Sequence, residues 1–189
     1  MDGFGIEFAG GSPFTVADLA NTPHDGRHYE LIDGTLVVSP VPGVVHQRMV
    51  YSLAVALDAA CPPGLDVLPG PYAVRLSDIT ELLPDVVVAQ DEDFTEECLP
   101  VAPLLVVEVF MPSTRLTDLN NKRAIYQRFG VPSYWVIDPE DPALTVFELD
   151  DAGVYEQVAE VKGADAFQAR RPFPVRVVPL ELLGKLARK

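Results

Sequence analysis

Runs of apolar and polar positions divide this chain into short strands and a few helices. "YELIDGTLVVSP" alternates apolar and polar residues, breaks at Asp33-Gly34, and resumes at Thr35 to Ser39. That is a β-hairpin turning on an Asp-Gly pair. Before it, Thr15 with Asp18 three residues on is a capping pair, which predicts a short helix to about Ala20. "NTPHDGRH" between them reads as a loop. From Val44 to Ala60 apolar residues recur at helical spacing (Val45, Met49, Leu53, Ala56, Leu57), and "CPPG" stops the helix. Strand-like runs follow at Leu65 to Leu68, Tyr72 to Leu76, Asp85 to Ala89 and Leu104 to Phe110. A second helix is predicted from Leu116 to Phe129, closed by Gly130. "SYWVID" is another buried strand, with Trp135 in the core. "LTVFELDD" and "VYEQVAEV" form a meander turning on "DAG", and "PLELLGKLARK" ends the chain in a short helix with basic last turns.

No repeat, linker or second core is evident. The pattern predicts one domain over 13–189 behind a loose, Gly-rich tail at 1–12. Helices interspersed at a few places among many strands give an α/β (α+β) class built on one mixed sheet.

Composition narrows the function classes. With 48% hydrophobic and 22% charged residues, the 189-residue chain is too apolar for disorder and long enough for a real core. No run approaches the roughly 18 apolar residues of a membrane span. The N-terminal residues have no basic segment followed by an apolar one, so no signal peptide is expected. Cys61 and Cys98 form no CxxC and read as free thiols of a reducing, cytoplasmic setting. A net charge of −14 excludes a general nucleic-acid coat. It leaves room for a local groove or for metal ions that neutralise a site. The acidic stretch "QDEDFTEE" reads as a solvated loop.

One position breaks the apolar logic. "LLVVEVF" carries Glu108 inside a run that otherwise reads as a strand buried on both faces. Burying a lone carboxylate costs several kcal/mol or more, so Glu108 needs a partner. Alternation puts Leu104, Val106, Glu108 and Phe110 on one face. Upstream, Pro84 can begin a strand but not lie within one, and sets Asp85 at the start of an equally apolar run. If these two strands are neighbours, Asp85 and Glu108 meet. On the following helix Lys122 falls within the stripe of Leu119, Ile125, Tyr126 and Phe129, on the core-facing side, with Asp118 at its border. Two facing carboxylates suit Mg²⁺, which activates water and stabilises charge on a phosphate, and a nearby ammonium assists. A purely structural Asp/Glu/Lys ion cluster accounts for the spacing equally well.

"PDVVV", "VVEVFMPSTR", "DLNNKRAIY" and "GVPSYWVIDP", with "YELIDGTLVVSP" and "VVHQRM" before them, occur in an order that resembles the Uma2 family. That family is of restriction-endonuclease-like proteins in the PD-(D/E)XK nuclease superfamily. The resemblance spans about Phe14 to Leu183. It implies a restriction-endonuclease-like core, a mixed central sheet flanked by helices with extra antiparallel strands in the C-terminal half. It also implies an endonuclease that hydrolyses DNA with Mg²⁺ or Mn²⁺ held by Asp85 and Glu108, and a homodimer. The superfamily's lysine ordinarily stands two residues after the acidic strand residue, where this chain has Phe110. In the family it is displaced onto the helix, matching Lys122. Met111 stands where the family commonly has Ser, which removes a hydroxyl near the site, while Ser113 and Thr114 remain.

The family pattern also carries Glu30, as a surface glutamate or as a third acidic ligand or base. His46 reads as a capping or core histidine ahead of a catalytic one, and Tyr126 as core with a usable hydroxyl. Against the enzyme stands a second function, a catalytically weak or inactive nuclease fold that acts as a binding or regulatory module. A third is a metal-dependent enzyme on a substrate other than DNA.

Overall fold

The structure is a computed structural model that describes residues 12–23, 25–111 and 121–188. The expected tail therefore lies outside the described residues except for Ser12. The short helix α1 (Val16–Leu19) opens as the capping pair predicts, with Thr15 donating its backbone N–H and hydroxyl to Asp18 Oδ2, each at 2.8 Å. Strands β1 (His28–Ile32) and β2 (Thr35–Ser39) form the hairpin. Its turn residues Asp33 and Gly34 both have positive φ, 48° and 78°, the left-handed pair that matches strand twist.

Helix α2 (Val44–Asp58) follows, then β3 (Leu65–Pro69), β4 (Ala73–Ser77), β5 (Thr80–Leu82), β6 (Val86–Gln90), β7 (Cys98–Leu99) and β8 (Leu105–Val109). After β8 come α3 (Arg123–Arg128), β9 (Ser133–Asp138), β10 (Ala143–Leu149), β11 (Tyr155–Lys162), β12 (Phe167–Ala169), β13 (Val175–Val177) and α4 (Pro179–Leu182). Residues 112–120, including the predicted first part of the second helix with Asp118 and Leu119, and Ser113 and Thr114 before it, lie outside the described residues. The acidic stretch is mostly solvated as expected, with a single 3₁₀ turn at Asp91–Asp93.

The one mixed sheet expected from the pattern is in fact two sheets and a ribbon. A six-stranded sheet runs β11-β10-β9-β8-β6-β3, with β8 and β9 parallel and the other pairs antiparallel. A five-stranded sheet runs β2-β1-β5-β4-β7, and β12 pairs with β13. The sequence pattern passed over β5, β7, β12 and β13 because two or three residues are too few to display alternation. The class is thus mixed α+β, with the C-terminal half adding antiparallel β10 and β11 as expected.

Each face of the large sheet is covered. On one, Met49, Leu53 and Leu57 of α2 pack with Val86, Val88, Leu105 and Val107, joined by Phe173, Val177 and Leu182. On the other, Ile125 and Tyr126 of α3 pack with Val87, Val106, Tyr134 and Val136, and the small sheet contributes Val74, Leu82 and Leu99. Fully burying such side chains contributes roughly 1.5–3 kcal/mol each. The buried stripe of α2 is His46, Met49, Val50, Leu53, Ala54 and Leu57, rotated from the expected one, since Val45 is exposed. Cys61 and Cys98 are free thiols, and Trp135 is fully buried. Among the described residues no helix is long and apolar enough to cross a membrane.

Candidate active site

Strands β6 and β8 are antiparallel neighbours, with Val86 opposite Val107 and Val87 opposite Val106. Asp85 immediately precedes β6, outside the paired residues, and Glu108 lies in β8 next to Val107. Both residues line one cavity at the same end of these neighbouring strands.

Asp85 is fixed from several directions. Its N–H donates to the Val107 carbonyl at 3.1 Å, and its carbonyl accepts from the Gly70 N–H at 2.8 Å. Its carboxylate Oδ2 accepts the Val109 N–H at 2.7 Å and lies 3.2 Å from His46 Nε2. Its other oxygen, Oδ1, accepts no hydrogen bond among the described residues, and the side chain is 19% exposed. Gly70 is required by this close approach, because a Cβ there would lie 2.5 Å from the Pro84 carbonyl oxygen.

Glu108 is buried, as the apolar run demands. Its Oε1 accepts from Lys122 Nζ at 3.1 Å and from the Tyr126 hydroxyl at 3.0 Å. Lys122 immediately precedes α3 in helical backbone conformation, and its side chain is only 5% exposed. The core-facing position projected from the sequence is therefore correct. Burial, with the charges of Glu108 and Glu30, pushes the Tyr126 hydroxyl well above the usual tyrosine range. Tyr126 consequently remains a proton donor to Glu108.

Glu30 departs from the surface alternative. It is buried, with Oε1 accepting the Leu83 N–H at 2.9 Å and lying 2.8 Å from Lys122 Nζ. Lys122 thereby joins a carboxylate of the small sheet to one of the large sheet. His46, on the buried face of α2, is not a fully satisfied core histidine. Its Nε2 faces Asp85, while its buried Nδ1 has no hydrogen-bond partner among the described residues.

Glu30, His46, Asp85, Glu108 and Lys122 line one small cavity together with His28, Ser39, Leu83 and Met111. Its free space is about 20 Å³, enough for one water-sized body. A nucleotide does not fit within it, so a phosphate would have to approach at its mouth. The sequence reading missed His28 and Ser39. Ser39 is the polar last residue of a strand whose middle is apolar, a weak signal. The backbone donors Leu83 and Val109 carry no sequence signal.

Among the described residues no group of three or more His, Cys, Asp or Glu is arranged to hold a metal ion. A hard cation that keeps most of its own waters, as Mg²⁺ does, needs only one or two protein carboxylates. Asp85, with Oδ1 unengaged, and Glu108, which lines the same cavity, would be those carboxylates.

The sequence matches the Uma2 family, described as "Putative restriction endonuclease", over residues 16–181. The chain belongs to the Uma2 family. Among solved structures, this Uma2 chain is similar to one described as "a putative nuclease belonging to DUF820" from Anabaena variabilis ATCC 29413. The two are 17% identical with a TM-score of 0.69, over 90% of this chain and 98% of that one. At that identity the likeness establishes the fold. No curated protein matches the sequence.

Proposed function

We propose that the protein is a divalent-cation-dependent endonuclease that hydrolyses DNA phosphodiester bonds. The observation that carries this reading is that Asp85 and Glu108, at the ends of the antiparallel neighbours β6 and β8, line one polar cavity with the buried Lys122. Asp85 and Glu108 would hold Mg²⁺ or Mn²⁺, which when bound activates water and neutralises phosphate charge. The Val109 N–H and His46 hold the Asp85 carboxylate in one orientation. Tyr126 and Lys122 both donate to Glu108 Oε1 and fix the carboxylate on a rigid strand. Lys122 also presents an ammonium beside the position a phosphate would approach. In a chain of net charge −14 the cation has a second task, since phosphate would otherwise meet an acidic surface.

One observation favours a second reading, an inert nuclease fold that serves as a binding module. Lys122 already pairs with both Glu30 and Glu108, which is a satisfied ion network without any metal. Calorimetric titration of Mg²⁺ and Mn²⁺ into wild type and Asp85→Ala, with duplex cleavage measured in parallel, separates the two. The enzyme reading expects cation binding and cleavage in wild type, both lost in the variant. Absence of cation binding by wild type would leave the second reading.

A further inference from the structure

Helix α2 is apolar on two opposite sides. Met49, Leu53 and Leu57 are fully buried against the large sheet. On the reverse side Val44, Tyr51 and Val55 are 72%, 61% and 50% exposed. A helix at a protein surface ordinarily presents polar residues there. With Arg48 and Asp58, which are also exposed, these residues stand at 44, 48, 51, 55 and 58. Steps of four and three alternate along that series, the spacing of a seam between two packed helices. At about 100° per residue the five span an arc of roughly 80°. Tyr51 forms a ridge between two grooves, one of them floored by Val50, Ala54, Val67 and Pro69 beside the edge strand β3. Ridges set into grooves are how helices pack.

We propose that this face binds a second copy of the chain, with the two α2 helices antiparallel about a two-fold axis. The charges on the face select that occupant. Arg48 and Asp58 form no salt bridge among the described residues, and the Arg48 guanidinium instead lies over the Tyr51 ring, 5.5 Å from its centroid. A two-fold axis midway between positions 48 and 58 sets Arg48 against Asp58 of the second copy, twice. It sets Tyr51 against Val55 of the second copy in the same step, so the surface is complementary to itself, as an isologous interface requires. One Arg balanced by one Asp makes the ridge locally neutral. That lets two chains of charge −14 approach here and gives a nucleic acid no basic track to follow. The proposal does not depend on catalysis. It does fix two candidate sites relative to each other, since His46 of each copy lies on the far side of the same helix.

Sedimentation velocity of the full chain at micromolar concentration tests it. Wild type is expected at twice the chain mass. Arg48→Glu and Asp58→Arg, each alone, place like charges opposite one another twice and are expected as monomers with intact circular dichroism. Mixed in equal amounts, those two variants restore both opposite-charge pairs and are expected to form a heterodimer. Tyr51→Glu is expected to be monomeric, alone and in any mixture. A monomeric wild type overturns the proposal. So does an Arg48→Glu variant that remains dimeric, or a mixture that stays monomeric. Duplex binding by a monomeric wild type, lost in Tyr51→Glu, would assign the face to nucleic acid and overturn it as well.

Discussion

Lys122 Nζ lies 2.8 Å from Glu30 Oε1 although the two residues belong to different layers, one beside α3 and the other in the small sheet. The same ammonium is 3.1 Å from Glu108. Lys122 is thus the shared cation of two buried carboxylates, and this decides how each substitution around it behaves.

Lys122→Met leaves Glu30 and Glu108 buried without their cation. Breaking a buried pair from the cationic side costs about 3–5 kcal/mol. Urea denaturation should show a loss of this order. A loss under about 1 kcal/mol, the value of an exposed pair, would show that the carboxylates are not buried as described.

Glu108→Gln is milder, because Lys122 keeps Glu30 and glutamine preserves the volume. The expected cost is about 1.5–3 kcal/mol, the scale of one lost charged hydrogen bond. The variant should also lose any rise in melting temperature that Mg²⁺ or Mn²⁺ gives wild type, a rise equivalent to ~2.7 kcal/mol at 100 times Kd. If neither ion raises the wild-type melting temperature and the variant melts far below it, Glu108 is a structural ion-pair residue only.

Gly70→Ala should act at a distance on Asp85. The added methyl would stand 2.5 Å from the Pro84 carbonyl oxygen, so the Pro84–Asp85 segment must shift. The hydrogen bond from Gly70 to the Asp85 carbonyl would be strained with it. We expect roughly 1–3 kcal/mol of destabilisation together with weaker divalent-cation binding by calorimetry. Unchanged stability and unchanged binding would show that the contact is not held.

Tyr126→Phe removes a donor to Glu108 and also alters alkaline stability. The Tyr126 hydroxyl has a raised pKa in the folded protein because of burial, then Glu108 and Glu30. A group with a raised folded pKa gives stability that is complete below its unfolded pKa, about 10 for tyrosine, and lost as pH rises through the folded value. Wild type should therefore lose stability above about pH 10. The variant should lose less over that window, while Tyr155, raised by its own burial, still contributes a fall in both proteins. Denaturation midpoints between neutral pH and pH 11 measure the difference, and parallel curves would refute it.

Local chemistry in the sequence determined a good part of the fold. Thr15 and Asp18 announced a helix start because a cap is satisfied within one turn. Asp33-Gly34 announced the hairpin because few residues adopt positive φ at two successive positions. Strand alternation placed Glu108 on the face of Val106 and Phe110, and helical projection turned Lys122 toward the core, because both depend only on the period of one element.

Only the tertiary structure decided what meets across elements. Periodicity says which side of a strand is buried, not which sheet the strand joins. Three-residue β5, with no alternation to read, joins the β1–β2 hairpin to β4 in a second sheet, in which Glu30 is buried. His46 came to Asp85 through the packing of α2 on the large sheet, and the Leu83 and Val109 N–H groups through the course of the backbone. The sequence by itself supplied the charged groups and, for Glu108 and Lys122, the face each occupies. Their distances were set by pairing between segments far apart in the chain, which no local pattern encodes.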